Sequence, residues 1–306
     1  MKRRIIQYTT VVLAFLAGMI FMTYMTRMGN RDMTGDMAQA QLPVVHAEQD
    51  GVLYNEMHGY VEDMDGASMR DSVIGVSEDH KVGLALEKYN AQIKSVSYEV
   101  RSLDMSRLIE GGDDLQAEDD GKYLHISLTL KDLLTQGEEY LLVLKVQTED
   151  QDLVRFYSIL TYLGTNHVQD CVDFAQRFHE MTLTGDSDGV LNYLEQDGSM
   201  DGKNLGYINI HSRSGPVTWG DMQVEQIGDP SLRFTELESD ITALTMEYQV
   251  TNTETSEQYQ VREAYRLRYT STRIYLLAYE RWTDKILEPG RQLVEDGKLS
   301  FGIQSS

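Results

Sequence analysis

From Pro43 onward, apolar and polar positions alternate along the chain in short bursts. VVHAE, GVLYNEMHGYV, SVIGVS, IKSVSYEVRSL, KYLHISLTL, EYLLVLKVQT and VRFYSILTYL are each rich in β-branched and aromatic residues. Such residues suit a pleated, half-buried surface, so each run predicts a strand. Turn signals separate the runs, among them Gln49-Asp50-Gly51, Met64-Asp65-Gly66 and Asp119-Asp120-Gly121. About seven short strands spaced this way predict a β-sandwich over residues 43–163.

The period then changes. In NHVQDCVDFAQRFHEMTL, residues 166–183, the positions Val168, Cys171, Val172, Ala175, Phe178 and Met181 share one face at helical spacing. Asn166 is placed to cap this helix and Gly185 to end it. A shorter helix is expected over 187–195, burying Val190, Leu191 and Leu194. After Asp197 the alternation returns in LGYINIHS, PVTWGDMQVEQI, LRFTEL, ALTMEYQVTNT, YQVREAYRLRY and RIYLLAYERW. Helices followed by long antiparallel strands predict helices packed on one face of a curved sheet. This element order resembles the cone-shaped fold of nuclear transport factor 2 and its cystatin-like relatives. That likeness covers 164–288 and carries no motif.

The opening of the chain has no such alternation. Lys2, Arg3 and Arg4 precede an uncharged run from Ile5 to Thr26. A bilayer span takes about 20 apolar residues, so this run predicts a transmembrane helix with the basic end in the cytoplasm. A cleaved signal peptide competes with that reading, but Ala38-Gln39-Ala40, the nearest small-residue site, lies well beyond the run. The expected organisation is a cytoplasmic tip and anchor over 1–28, a tether over 29–42, a sandwich-like domain over 43–163, an α+β domain over 164–288 and a tail over 289–306. The fold class expected is therefore α+β: an N-terminal transmembrane helix, a β-sandwich-like domain, then helices on a curved antiparallel sheet. The location expected is the cell membrane, single-pass, with the main domain extracytoplasmic and the membrane contacted through residues 5–26.

Charge narrows the partners. The formal net charge of −22, from 27 bases and 49 acids, opposes nucleic acid and anionic lipid headgroups. Cys171 is the sole cysteine, so no intrachain disulfide exists and stability rests on packing.

Motifs that carry chemistry fail in context. Asp197-Gly198-Ser199-Met200-Asp201-Gly202 begins like a calcium loop, yet the closing position holds Ile208 where a bidentate acid is needed, and a strand is expected to follow. Gly185-Asp186-Ser187-Asp188-Gly189 spells a nucleophile elbow, but a helix precedes it where the elbow needs a strand. Ser187 is instead expected to cap the next helix. His46, His58, His80, His125, His167, His179 and His211 show no metal-ligand spacing, and His58 is the one most crowded by acids. The fifteen methionines cluster near the apolar run or stand singly, as packing residues do. No cofactor, metal or catalytic residue is expected.

HGY at 58–60, MRDS at 69–72, YEVRSLD at 98–104, RLIE at 107–110, VTWG at 217–220, and YRLRY with YLLAYER within 265–281 form a further set of segments. Together they resemble a group of uncharacterised single-pass envelope proteins of clostridial-type Gram-positive bacteria. The resemblance implies an extracytoplasmic setting and no known activity. The layout also resembles membrane-anchored accessory regulators of cell-wall sensor kinases.

One stretch departs from the acidic background. VREAYRLRYTSTRIYLLAYERW, residues 261–282, predicts a hairpin carrying Arg262, Arg266, Arg268, Arg273 and Arg281. Alternation puts Arg262, Ala264, Arg266 and Arg268 on one face of the first strand, and Arg273, Tyr275, Leu277, Tyr279 and Arg281 on one face of the second. Such a ladder could line a groove for an envelope protein or an anionic wall polymer. The reading favoured over that one is pairing with carboxylates of its own sheet, such as Glu225, Glu236, Glu238 and Glu247. The function expected is a non-enzymatic, membrane-anchored binding protein. The alternative is an enzyme or small-ligand binder using a pocket in the second domain.

Overall fold

The computed structural model describes residues 15–19, 21–22, 42–69, 72–113, 115, 117–149, 153–165, 167–197, 205–286, 294–295 and 298–299. The chain divides into two compact units, Met1–Ala40 and Gln41–Ser306. In the first, residues 15–19 and 21–22 are exposed helix. The rest of the apolar run, residues 29–41 of the tether and the Ala38-Gln39-Ala40 site lie outside the described residues. Among the described residues no helix is long and apolar enough to cross a membrane. That finding overturns the single-pass anchor and the cell-membrane location derived from it.

The fold class also needs correction. Of the described residues, 53% are in strands and 15% in helix, so the protein is mostly β and not α+β. Among its described residues the second unit holds three five-stranded sheets. The first sheet is built from β1 (Val44–Gln49), β2 (Val52–His58), β4 (Lys81–Glu87), β7 (Ala117–Asp119) and β8 (Tyr123–Thr129), in the order β2-β1-β4-β8-β7. The second has β3 (Val73–Ser77), β5 (Ile93–Ser102), β6 (Leu108–Gly112), β9 (Glu139–Thr148) and β10 (Leu153–Gly164), ordered β3-β10-β9-β5-β6, with β3 parallel to β10. Their buried residues, among them Leu84, Leu86, Ile126, Val100, Leu142, Leu144 and Phe156, belong to one apolar core.

Among the described residues three helices follow: α1 (Val168–Thr184), α2 (Ser187–Leu191) and α3 (Ser214–Val217). Only α1 is long, because only its segment sustains an apolar stripe over several turns. It buries Val168, Cys171, Val172, Phe174, Ala175, Phe178, His179 and Thr182 and ends at Gly185, whose φ of 76° is the left-handed cap glycine favours. Asn166 lies outside the described residues; His167 precedes the helix without a side-chain cap. The shorter helix stops at Leu191, with Val190 its buried residue. Its cap is Asp186 and not Ser187: Gly189 N–H donates to Asp186 Oδ1 at 2.9 Å.

The third sheet contains β11 (Tyr207–Asn209), β12 (Val224–Leu237), β13 (Ile241–Asn252), β14 (Gln258–Tyr269) and β15 (Ile274–Lys285), all antiparallel, in the order β11-β15-β14-β13-β12. Helix α1 covers its inner face, where Phe178 meets Tyr265 and Tyr279 at ring-centre distances of 5.9 and 4.9 Å. Farther along the chain, Val294–Glu295 pairs with Lys298–Leu299.

Asn55 joins the sheets. It sits at a bulge in β2 with φ of 52°, a conformation asparagine tolerates better than most residues, and it is fully buried. Its Nδ2 donates to the Val73 carbonyl at 2.7 Å and its Oδ1 accepts from Phe234 N–H at 2.6 Å. One side chain thus ties β2, β3 and β12 together, beside the edge-to-face contact of Tyr54 with Phe234.

Candidate functional site

The hairpin forms as the alternation predicts in its first strand. In β14, Val261, Glu263, Tyr265 and Leu267 are buried while Arg262, Arg266 and Arg268 are exposed. The second strand breaks the rule. Arg266 pairs with Ala278 and Leu267 with Leu276, so Leu277 is an extra residue opposite one bond of the ladder. A bulge of one residue reverses which face every later side chain occupies. Tyr279, Arg281 and Thr283 consequently point inward and are buried, while Arg273 and Tyr275 remain outside.

The five arginines therefore divide. Arg281 is fully buried and is a scaffold residue. Its Nη1 donates to the Val217 carbonyl at 2.7 Å, its Nη2 to the Pro216 carbonyl at 2.9 Å, and its guanidinium lies 3.9 Å from the centre of the Trp219 ring. It thereby closes the end of α3, where Trp219 and Gly220 both take positive φ.

The other four stay on the outer face. Arg266 makes a two-pronged pair with Glu236 at 3.0 and 2.9 Å, spanning Ala243 on the strand between them. That pair holds Glu236 below the ordinary carboxylate range. Arg262 stacks on its cross-strand neighbour Trp282 at 4.5 Å, and Arg273 on Tyr275 at 3.9 Å. Among the described residues, Arg262, Arg268 and Arg273 pair with no carboxylate. Arg233, Glu247, Glu280 and Tyr207 lie on the same face, among neutral polar residues such as Thr245, Gln249 and Gln260, with Tyr207 donating to Glu280 at 2.6 Å. Among the described residues it carries no lysine.

The inner face holds a polar cluster that the sequence reading missed. Glu263 is fully buried and accepts from Tyr265 at 2.6 Å, Tyr279 at 2.9 Å and Tyr248 at 3.1 Å. His179 Nδ1 lies 3.2 Å from its Oε2. Burial pushes the Glu263 carboxyl up, but His179, Tyr265 and Arg281 outweigh it and the net direction is down. Burial likewise pulls His179 down, and the bonds to Glu263 and Gln226 reverse that to a net rise. Around this cluster Phe174, Phe178 and Tyr193 fill the space beneath α1. The signal was Glu263 in a buried register with three inward tyrosines, but its histidine lies 84 positions away.

The remaining candidates are occupied by structural roles or lie elsewhere. Ser187 shares a hydrogen bond with Thr218 Oγ1 at 2.9 Å. Burial pushes the Cys171 thiol up to about 11. His58 is exposed, 3.6 Å from Glu56. In the acidic loop, residues 198–202 lie outside the described residues; Asp197 lies 3.6 Å from His211.

No protein-family model and no curated protein matches the chain. Among solved structures, one similar chain is CopC from Methylosinus trichosporium OB3b. It is 14% identical, covers 34% of this chain and 95% of its own, and has a TM-score of 0.22. A likeness of that extent assigns neither ligand nor activity here.

Proposed function

We propose that this chain is a non-enzymatic binding protein that docks another protein on the outer face of its third sheet. The observation that carries the reading is the composition and exposure of that face. Arginine, tyrosine and tryptophan dominate the energetic centres of protein interfaces, and lysine is depleted there. Arg262 on Trp282 and Arg273 on Tyr275 present cations held over aromatic rings, with Arg268 between them. Glu236, Glu247 and Glu280 lie among them, so the face is mixed in sign. A mixed, aromatic face suits a protein surface of matching pattern better than a uniform polyanion.

The inner face supports the same reading. It is packed with Phe174, Phe178, Tyr265 and Tyr279, which favours an outward docking surface over a ligand pocket inside the sheet. Replacing Arg262, Arg268 and Arg273 together by Ala tests the proposal. Partner recovered after cross-linking in cells should fall about tenfold or more, the effect of 1.4 kcal/mol, while the melting temperature stays put. Unchanged recovery would remove this face from the function.

A further inference from the structure

His179 links the interior of the third sheet to its edge. Its Nδ1 faces Glu263 Oε2 at 3.2 Å and its Nε2 faces Gln226 Oε1 at 2.7 Å. Both partners are acceptors. Glu263 already receives three tyrosine hydroxyls, as a carboxylate does. Gln226 cannot reverse its amide, because its Nε2 donates to the Gly228 carbonyl at 2.7 Å and a flip would oppose two oxygens. A neutral imidazole carries one N–H and can satisfy only one of the two. The imidazolium satisfies both.

Every strand beneath α1 except the edge strand β11 contributes a group here. β12 supplies Gln226, and β13 supplies Tyr248, with its ring centre 4.4 Å from that of His179. β14 supplies Glu263 and Tyr265, and β15 supplies Tyr279 and Arg281. Glu263 favours the histidine proton and Arg281 opposes it, with the net direction upward. The three tyrosines are pushed well above their ordinary value, by burial first, and stay neutral.

Gln226 lies where β12 loses its register. Ile227 pairs with Gln249 and Ser231 with Glu247, leaving Gly228, Asp229 and Pro230 between them as a bulge on the sheet edge. The far half of β12 is fixed separately, through Phe234 and Asn55.

We infer that His179 is a proton-operated latch: protonated, it clamps Gln226 and the 226–231 segment to the interior, and on losing its proton it releases that edge of the sheet. The folded-state value stands above the ordinary 6.5, so the latch is closed below it and opens as pH rises through it.

Hydrogen–deuterium exchange of the full chain, corrected for the intrinsic pH dependence of amide exchange, tests this between about pH 6 and pH 9. Peptides spanning 226–231 should gain exchange in one step whose midpoint lies above 6.5, while those from 241–252 stay protected. Gln226→Leu removes the second acceptor from a half-buried side chain. The segment should then exchange quickly throughout, with the step gone. In parallel, ring-nitrogen NMR of the unaltered chain should show His179 protonated on both nitrogens at the low-pH end of that range. Absence of the step, its survival in Gln226→Leu, or a single neutral tautomer at the low-pH end would each overturn the latch.

Discussion

At the scale of single residues, neighbouring arginines of one hairpin have opposite roles. Arg281 spends its guanidinium on two backbone carbonyls and an indole ring, all within the protein. Lysine offers a point charge without the planar fork, so Arg281→Lys cannot reproduce both bonds and the stacking. Urea denaturation should show a loss of roughly 1.5–3 kcal/mol, the range for hydrogen bonds made by charged groups. Arg268→Ala, on the exposed face, should change stability by no more than about 0.5 kcal/mol. If the two substitutions cost the same, the division between scaffold and surface is wrong. The sequence marked all five arginines alike, because the composition of a strand says nothing about a bulge in it. Leu277 is an unremarked leucine until the pairing of Arg266 with Ala278 and Leu267 with Leu276 shows it to be the extra residue.

At the scale of elements, what local periodicity controls was legible and what long-range pairing controls was not. The apolar stripe of α1 and the shared face of Val261, Tyr265 and Leu267 in β14 follow from helical and two-residue periods alone. Glu263 as a buried carboxylate was not readable, since its stabilising partners sit on α1, β13 and β15. Asn55 was equally silent, an asparagine inside a strand-like run. Yet it is where β2, β3 and β12 meet. Asn55→Ala leaves the Phe234 N–H and the Val73 carbonyl buried without partners, each costing roughly 1–3 kcal/mol. The expected loss is about 2–4 kcal/mol with an unchanged two-state slope. Asn55→Gly, which adopts the positive φ freely, should recover only about 1 kcal/mol of it. Full recovery by glycine would mean that backbone strain, and not the two hydrogen bonds, is what Asn55 manages.

At the scale of the whole molecule, the apolar opening suggested an anchor and the helical segment suggested an α+β class. The described residues contain no membrane-crossing helix, and strands outweigh helix by a wide margin. The three sheets share one core, and the third keeps its outer face exposed. Two tyrosines allow the central claim to be tested with matched probes. Tyr275 is 39% exposed on the arginine face and Tyr89 is 52% exposed in the turn after β4. A photo-reactive phenylalanine analogue at either position preserves ring size and samples the surface around it. Irradiation in cells should give one discrete protein adduct from position 275 and none from position 89. An adduct from position 89 alone, the same adducts from both, or none from 275 would contradict docking on the outer face of the third sheet.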